Sequence, residues 1–221
     1  MIPLRDVIPS RTTPYVTTGI IVVNALAFWF ELSMPAPVRQ AFIVQYGMVP
    51  AAFSVLTLMT SMFLHGGWLH IIGNMWYLWI FGDNVEDRLG HGRYLVFYLL
   101  CGAAAGTGQM LVAPASRVPT IGASGAIAGI MGAYFVLYPR SRVLTLIWVF
   151  IFVDIIEIPA LFFLGFWFLM QLASGAGSIA ETAANQGGIA FWAHVAGFLV
   201  GIVGVFAFRK PAGQHVEPWH E

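Results

Sequence analysis

Residues 122–138 read Gly-Ala-Ser-Gly-Ala-Ile-Ala-Gly-Ile-Met-Gly-Ala-Tyr-Phe-Val-Leu-Tyr, an uncharged run whose only early hydroxyl is Ser124. Gly125, Gly129 and Gly132 recur at helical spacing, so the run is read as an apolar helix with a small-residue stripe that lets a neighbouring backbone approach closely. A serine at such a helix start sits beside N–H groups that lack intrahelical partners. That is a place where a nucleophile can be built. Taken alone, a serine in an apolar helix ordinarily bonds back to its own backbone, so its meaning depends on what else reaches the same point.

The rest of the composition fixes the solvent. Of 221 residues, 59% are hydrophobic and 9% charged, and the mean hydropathy is +0.80, which indicates a polytopic membrane protein rather than a water-soluble domain. The formal net charge is zero, so there is no electrostatic case for nucleic acid as a partner. Cys101 is the single cysteine, lies in an apolar run, and is read as a packed thiol.

Apolar segments divide the chain into an N-terminal polar segment (1–14), a membrane domain (15–209) and a polar C-terminal tail (210–221). Residues 1–14 lead into a first span, 15–32, read as retained because Met34-Pro35-Ala36-Pro37 is a poor cleavage site. The stretch to Leu64, broken by Pro35, Pro37, Gly47 and Pro50, reads as a long loop with interfacial helical pieces. A second span runs from His65 to Phe81 and ends in a charged loop, 83–90. The third, 93–113, carries Gly102, Gly106 and Gly108 as a small-residue face, and the fourth is 122–138. Residues 143–157 read as an apolar, β-branched connector at the interface, 158–172 as a fifth span, 173–188 as a Gly/Ser/Ala-rich loop, and 190–208 as a sixth span. The expected fold is thus an all-α bundle of six transmembrane helices, a multi-pass integral membrane protein in contact with the lipid bilayer.

Cation placement orients it. With both termini inside, Arg5, Arg11, Arg88, Arg93, Arg140, Arg142, Arg209 and Lys210 fall inside, against Arg39 and Arg117 outside, giving an N-in/C-in topology. Ser124 then lies just within the outer end of the fourth span. His194, in Ala193-His194-Val195-Ala196-Gly197, lies near the same depth on the sixth, and His70 and Asn74 share a face of the second. A histidine inside a span is costly unless paired or functional. The stripe Gly197, Gly201 and Gly204 on the sixth span matches that on the fourth; if the two stripes meet, Ser124 reaches His194. The bland reading of the stripes is helix packing, and that of His70 and Asn74 is interhelical hydrogen bonding. His65, His70 and His194 fit no zinc signature, and no carboxylate is expected at the outer level, so no metal and no other cofactor is expected.

Together, Gly122-Ala123-Ser124-Gly125, the His65/His70/Asn74 pattern and Ala193-His194-Val195-Ala196-Gly197 resemble the rhomboid intramembrane serine proteases, over about residues 15–209 and in the six-span form. Residues 86–90 resemble the family's acidic cap at the inner end of the second span, for which a structural role is expected. The resemblance implies a Ser124/His194 catalytic dyad, with His70, Asn74 and the Ser124 backbone N–H as oxyanion donors, and Gly122, Gly125, Gly129, Gly197 and Gly201 as helix-packing support. It implies transmembrane protein substrates, cut within or beside their spans, and a bacterial or archaeal cell membrane. Substrate would arrive between the second and fifth spans, near Gly165-Phe166-Trp167-Phe168, a cluster otherwise read as a lipid-facing aromatic belt. Gln109 on the third span is a candidate for holding the hydrolytic water, against the plainer reading of a polar residue near the membrane face.

Two departures from the family pattern stand out. Leu56-Thr57 replaces a Trp-Arg pair in the first loop, and Ala128 stands where some members stack a tyrosine on the histidine, which leaves the orientation of His194 less explained, although small residues there are also compatible with the family pattern. The non-enzymatic alternative is a rhomboid-like protein that binds transmembrane clients without cutting them; a transporter or metal-binding bundle ranks behind both.

Overall fold

A computed structural model describes residues 1–149, 151–180 and 190–210. The elements in order are β1 (Ile2–Asp6), α1 (Tyr15–Ser33), α2 (Ala36–Tyr46), α3 (Val55–Thr60), α4 (Trp68–Leu89), α5 (His91–Val112), α6 (Ser124–Leu137), β2 (Arg142–Val149), β3 (Phe152–Pro159), α7 (Ala160–Ala180) and α8 (Phe191–Phe208). Single 3-10 turns at Pro50–Ala52 and Ser61–Phe63 flank α3. Helix α6 forms the middle of the bundle: every residue from Gly125 to Tyr134 is buried, against α4, α5, α7 and α8. The outer helices turn apolar side chains outward, as lipid-facing helices do; Val22, Leu26, Trp29, Leu100, Phe162, Leu169 and Val203 are all exposed.

Among the described residues, four helices are long and apolar enough to cross a membrane: α1, α5, α7 and α8. The pair Val55–Phe63 and Trp68–Leu89, bent by 89°, passes the same test as one broken span. Helix α6 is only 14 residues long, about 21 Å at 1.5 Å per residue, which is shorter than the roughly 30 Å hydrocarbon layer. Its burial inside the other helices explains how so short an apolar helix is accommodated.

The expected all-α fold needs a correction. Strands β2 and β3 pair antiparallel with Arg142 opposite Pro159, and β1 from the N-terminal segment pairs antiparallel with β2, giving a sheet in the order β1-β2-β3. The β-branched character of 143–157 was the local signal, but the partner strand lies some 140 residues away in sequence. Asp154 and Glu157 accordingly lie on β3, where Glu157 pairs with Arg142 at 3.1 Å. Two boundaries also move. Residues 83–89, expected as a charged loop, continue α4 to Leu89, and α7 continues through Ala180 into the expected loop. The rest of that loop, 181–188, and the tail from 211 onward lie outside the described residues.

The charged end of α4 stays helical because its acids have partners elsewhere. Glu86 is fully buried and accepts the Val16 and Thr17 N–H groups at 2.9 and 2.8 Å, capping α1, whose own N-cap residue, Pro14, provides no side-chain cap. His91 Nδ1 lies 2.6 Å from the same carboxylate. Asp87 accepts the N–H groups of Arg11 and Thr12 and the Thr12 hydroxyl. Glu86→Ala strands two helix-end donors and should lower stability by about 3 kcal/mol, read as denaturant unfolding in micelles.

Asp6, at the end of β1, accepts from the Tyr134 hydroxyl at 2.6 Å and from Asn84 at 2.9 Å, tying the sheet to α6 and α4. Burial raises its carboxyl from 3.8 to about 6, with the Tyr134 hydrogen bond opposing. A raised folded-state value favours the protonated folded protein. This contribution is therefore complete below pH 3.8 and is lost as pH rises through about 6. The parent should lose melting temperature relative to Asp6→Asn between pH 4 and 7; a difference that stays flat with pH rejects the assignment.

Candidate active site

The two glycine stripes meet. A Cβ on Gly197 would collide with the Gly125 carbonyl oxygen, one on Gly201 with that of Gly129, and one on Gly132 with that of Phe198. Gly204 instead faces Phe97 on α5. Backbone-to-backbone contact between α6 and α8 brings two short side chains into reach: Ser124 Oγ and His194 Nε2 are 2.8 Å apart. Ser124 is the first residue of α6, and His194 lies in the first turn of α8.

Gly122 plays a different part from the other glycines. It precedes α6 with φ +118°, a conformation that disfavours any other residue, and its N–H donates to the Ser61 carbonyl at 2.9 Å. A Cβ there would lie 2.6 Å from His70 Nε2 and 3.5 Å from Asn74 Nδ2, so both nitrogens converge on the space above this glycine. The Gly66 N–H donates to His70 Nδ1 at 3.4 Å, a long hydrogen bond that leaves the ring proton on Nε2, facing that space. Among the described residues, Asn74 Nδ2 is buried with no partner, a donor set in place for an acceptor to arrive. Gly122→Ala should therefore displace His70 and strain the approach to α6. A changed 15N shift of the His70 ring, with a melting temperature within a few degrees of the parent's, is the expected result.

A cavity of about 990 Å³ opens over these groups, lined by His70, Asn74, Ser124 and His194 together with Gln109, Trp167 and Gln171. Gln109 Oε1 accepts the Ala193 N–H at 3.3 Å while lining this cavity. His65 stands behind the site, buried, with its ring 5.1 Å from that of His70. The expectation that no carboxylate stands at the outer level fails at Glu31: it is fully buried near the end of α1 and accepts the His65 N–H at 3.1 Å. Among the described residues, no three of His, Cys, Asp and Glu are grouped to hold a metal ion.

Sequence reasoning missed one residue and half-placed another. Gln171 Oε1 is 2.8 Å from His194 Nδ1, and the Trp167 ring lies 5.8 Å from the imidazole, tilted 35°. Of the aromatic cluster expected to face lipid, Phe166 is exposed, whereas Trp167 turns to His194 and Phe168 stacks on Phe198 at 4.8 Å. The available signal was a lone glutamine near the outer end of a span, four residues after Trp167 and so on the same face. Ala128 is fully buried in α6; the contacts to the imidazole come from α7 instead.

Known proteins place this architecture. Residues 52–211 match the rhomboid domain. The chain is 28% identical over 154 residues to Rhomboid protein 1, mitochondrial, of Saccharomyces cerevisiae, covering 68% of this chain and 41% of that protein. It is 31% identical over 129 residues to the mouse presenilin-associated rhomboid-like protein, mitochondrial, covering 57% and 33%. With Bacillus subtilis YdcA, a candidate rhomboid protease by its name, it shares 30% identity over 122 residues, covering 54% and 60%. The chain thus spans about a third to three fifths of the length of these relatives. Because the match runs from α3 through α8, across every helix that carries a residue of the cavity, the chain belongs to the rhomboid family.

Proposed function

We propose that this chain is an intramembrane serine endopeptidase that cuts transmembrane proteins within or beside their spans. The observation that carries the reading is the 2.8 Å hydrogen bond from Ser124 Oγ to His194 Nε2 at the wall of a 990 Å³ cavity between apolar helices. Ser124 Oγ attacks a peptide carbonyl while Nε2 of His194 takes the hydroxyl proton; the resulting imidazolium then protonates the leaving amine, and the acyl-enzyme remains. Water repeats the sequence in reverse roles and frees Ser124. The charge that gathers on the carbonyl oxygen is met by His70 Nε2–H, Asn74 Nδ2–H and the Ser124 N–H at the start of α6.

A helical substrate hides its carbonyls in i to i−4 hydrogen bonds, so the cut segment has to unwind before the attack. Transmembrane segments with small or helix-breaking residues are therefore the preferred substrates. Gln109 and the polar groups beside it hold water in the cavity for the second step.

The test is covalent. Purified protein treated with a fluorophosphonate probe should be labelled at Ser124, located by peptide mass, and the label should be lost in His194→Ala. A parent protein that leaves the probe unreacted would instead favour a rhomboid-like binder of transmembrane clients.

A further inference from the structure

We propose that Gln171 is the positioning residue of the catalytic base, its side-chain carbonyl holding His194 in the tautomer that leaves Nε2 free to take the Ser124 proton. The proposal rests on the serine-protease reading above. A neutral imidazole carries one proton on either of two nitrogens, and only the Nδ1–H form presents a lone pair at Nε2. What selects between them is the partner of the nitrogen that faces away from the nucleophile. Here that partner is Gln171 Oε1, 2.8 Å from Nδ1, an acceptor that offers no proton of its own. With Nε2 at 2.8 Å from Ser124 Oγ, the two contacts fix the ring at both ends.

Among the described residues, the neighbours leave Gln171 without a substitute. On α6, one turn after the nucleophile, Ala128 has no polar atom and no ring to offer. Trp167, one turn before Gln171 on the same helix, lies beside the imidazole and limits its rotation, yet an indole N–H only donates and cannot select the Nδ1–H form. Gln109, the other amide on the cavity wall, is engaged by the Ala193 N–H. Glu31, on α1, accepts from the His65 backbone N–H and stands away from the cavity lining. A neutral amide suits the site: it orients the ring as the carboxylate of a triad does, without a second charge at membrane depth. Helix α7 therefore supplies the group that sets the base, while α6 and α8 supply the nucleophile and the base themselves.

The first measurement needs no variant. In full-length protein in lipid nanodiscs, carrying 15N-labelled histidine, the His194 ring should give the shifts of a protonated Nδ1 and a bare Nε2; a protonated Nε2 in the resting protein overturns the proposal. Gln171→Met, close in shape but unable to accept at Nδ1, should lower kcat on a transmembrane reporter and the rate of Ser124 labelling together, by about 10- to 100-fold, with KM within about twofold. Gln171→Glu restores an acceptor and should recover both rates to within about fivefold of the parent. Parent-like rates in Gln171→Met, a loss of cleavage with unchanged labelling, or failure of Gln171→Glu to recover would each overturn the role. If Gln171→Met is parent-like while Ser124→Ala is inert, only the positioning role falls. If Ser124→Ala cuts like the parent, the protease reading itself falls.

Discussion

Ser124→Ala should abolish cleavage of a transmembrane reporter by purified, detergent-solubilised protein. The substitution removes one oxygen from the half-buried first residue of α6 and leaves Gly125 to Tyr134, the buried body of the helix, unchanged. The fold and the cavity should survive, so the melting temperature should shift by no more than a few degrees. Chemistry should fall on the order of 10⁶-fold, the size seen when the serine of a soluble serine protease is removed, because His194 then has no hydroxyl to deprotonate. Binding of a transmembrane segment, measured by co-purification, should persist, since the cavity walls are intact. A mutant that cuts at the parent's rate would end the proposal that Ser124 is the nucleophile.

Among the described glycines packed between helices, Gly201→Ala should be the most disruptive single-methyl change. Its Cβ would fall on the Gly129 carbonyl oxygen, 2.7 Å from the carbonyl carbon and 2.8 Å from the Cα, and every one of these atoms is backbone. No rotamer change relieves such a contact; α6 and α8 have to separate. Overpacking of this kind costs about 3 kcal/mol, at the upper end for an added methyl, because neither helix can yield alone. The separation propagates along the stripe through Gly197 and Gly125 to the 2.8 Å contact between Ser124 and His194, where a displacement of about 1 Å costs on the order of 100-fold in rate. The expected result is a lower melting temperature together with a cleavage loss larger than the unfolded fraction explains. Gly204→Ala provides the control, since its Cβ would meet the edge of the Phe97 ring at 3.2 Å, a side-chain contact that a shift of tenths of an ångström relieves without parting two backbones. Equal effects from the two substitutions would reject the backbone-contact account.

These predictions draw unequally on sequence and structure. Hydropathy located the apolar helices α1, α5, α7 and α8 to within a few residues at most ends, because each span must satisfy its own backbone in lipid and is therefore encoded locally. The meeting of Ser124 and His194 was expected on one condition, that the two glycine stripes face each other; small residues permit that crossing, and the structure makes it. The β1-β2-β3 sheet was not legible, because one of its two ladders joins residues 2–6 to 143–146, across well over half of the chain. The helical extension of α4 was misread for a related reason: Asn84, Glu86 and Asp87 look like a solvated loop until their partners at Asp6, Val16, Thr17 and Arg11 are in place.

By itself, the sequence determined that this protein lives in a membrane, that its helices cross closely at glycine, and that a serine, two histidines and an asparagine come to one depth. Those are properties of single segments: hydropathy, helical period and distance from a span end. Tertiary structure alone decided which side chains touch. The depth of Gln171 could be read from its position in the fifth span, but its 2.8 Å contact with His194 depends on how α7 is rotated about its own axis, and that rotation is set by packing against α8. The same holds for Gly122, whose left-handed turn beneath His70 and Asn74 exists only once α4 is laid against the loop before α6. Span positions are written in local free energies of transfer; the rotation and register of one helix against another come from contacts between segments far apart in the chain.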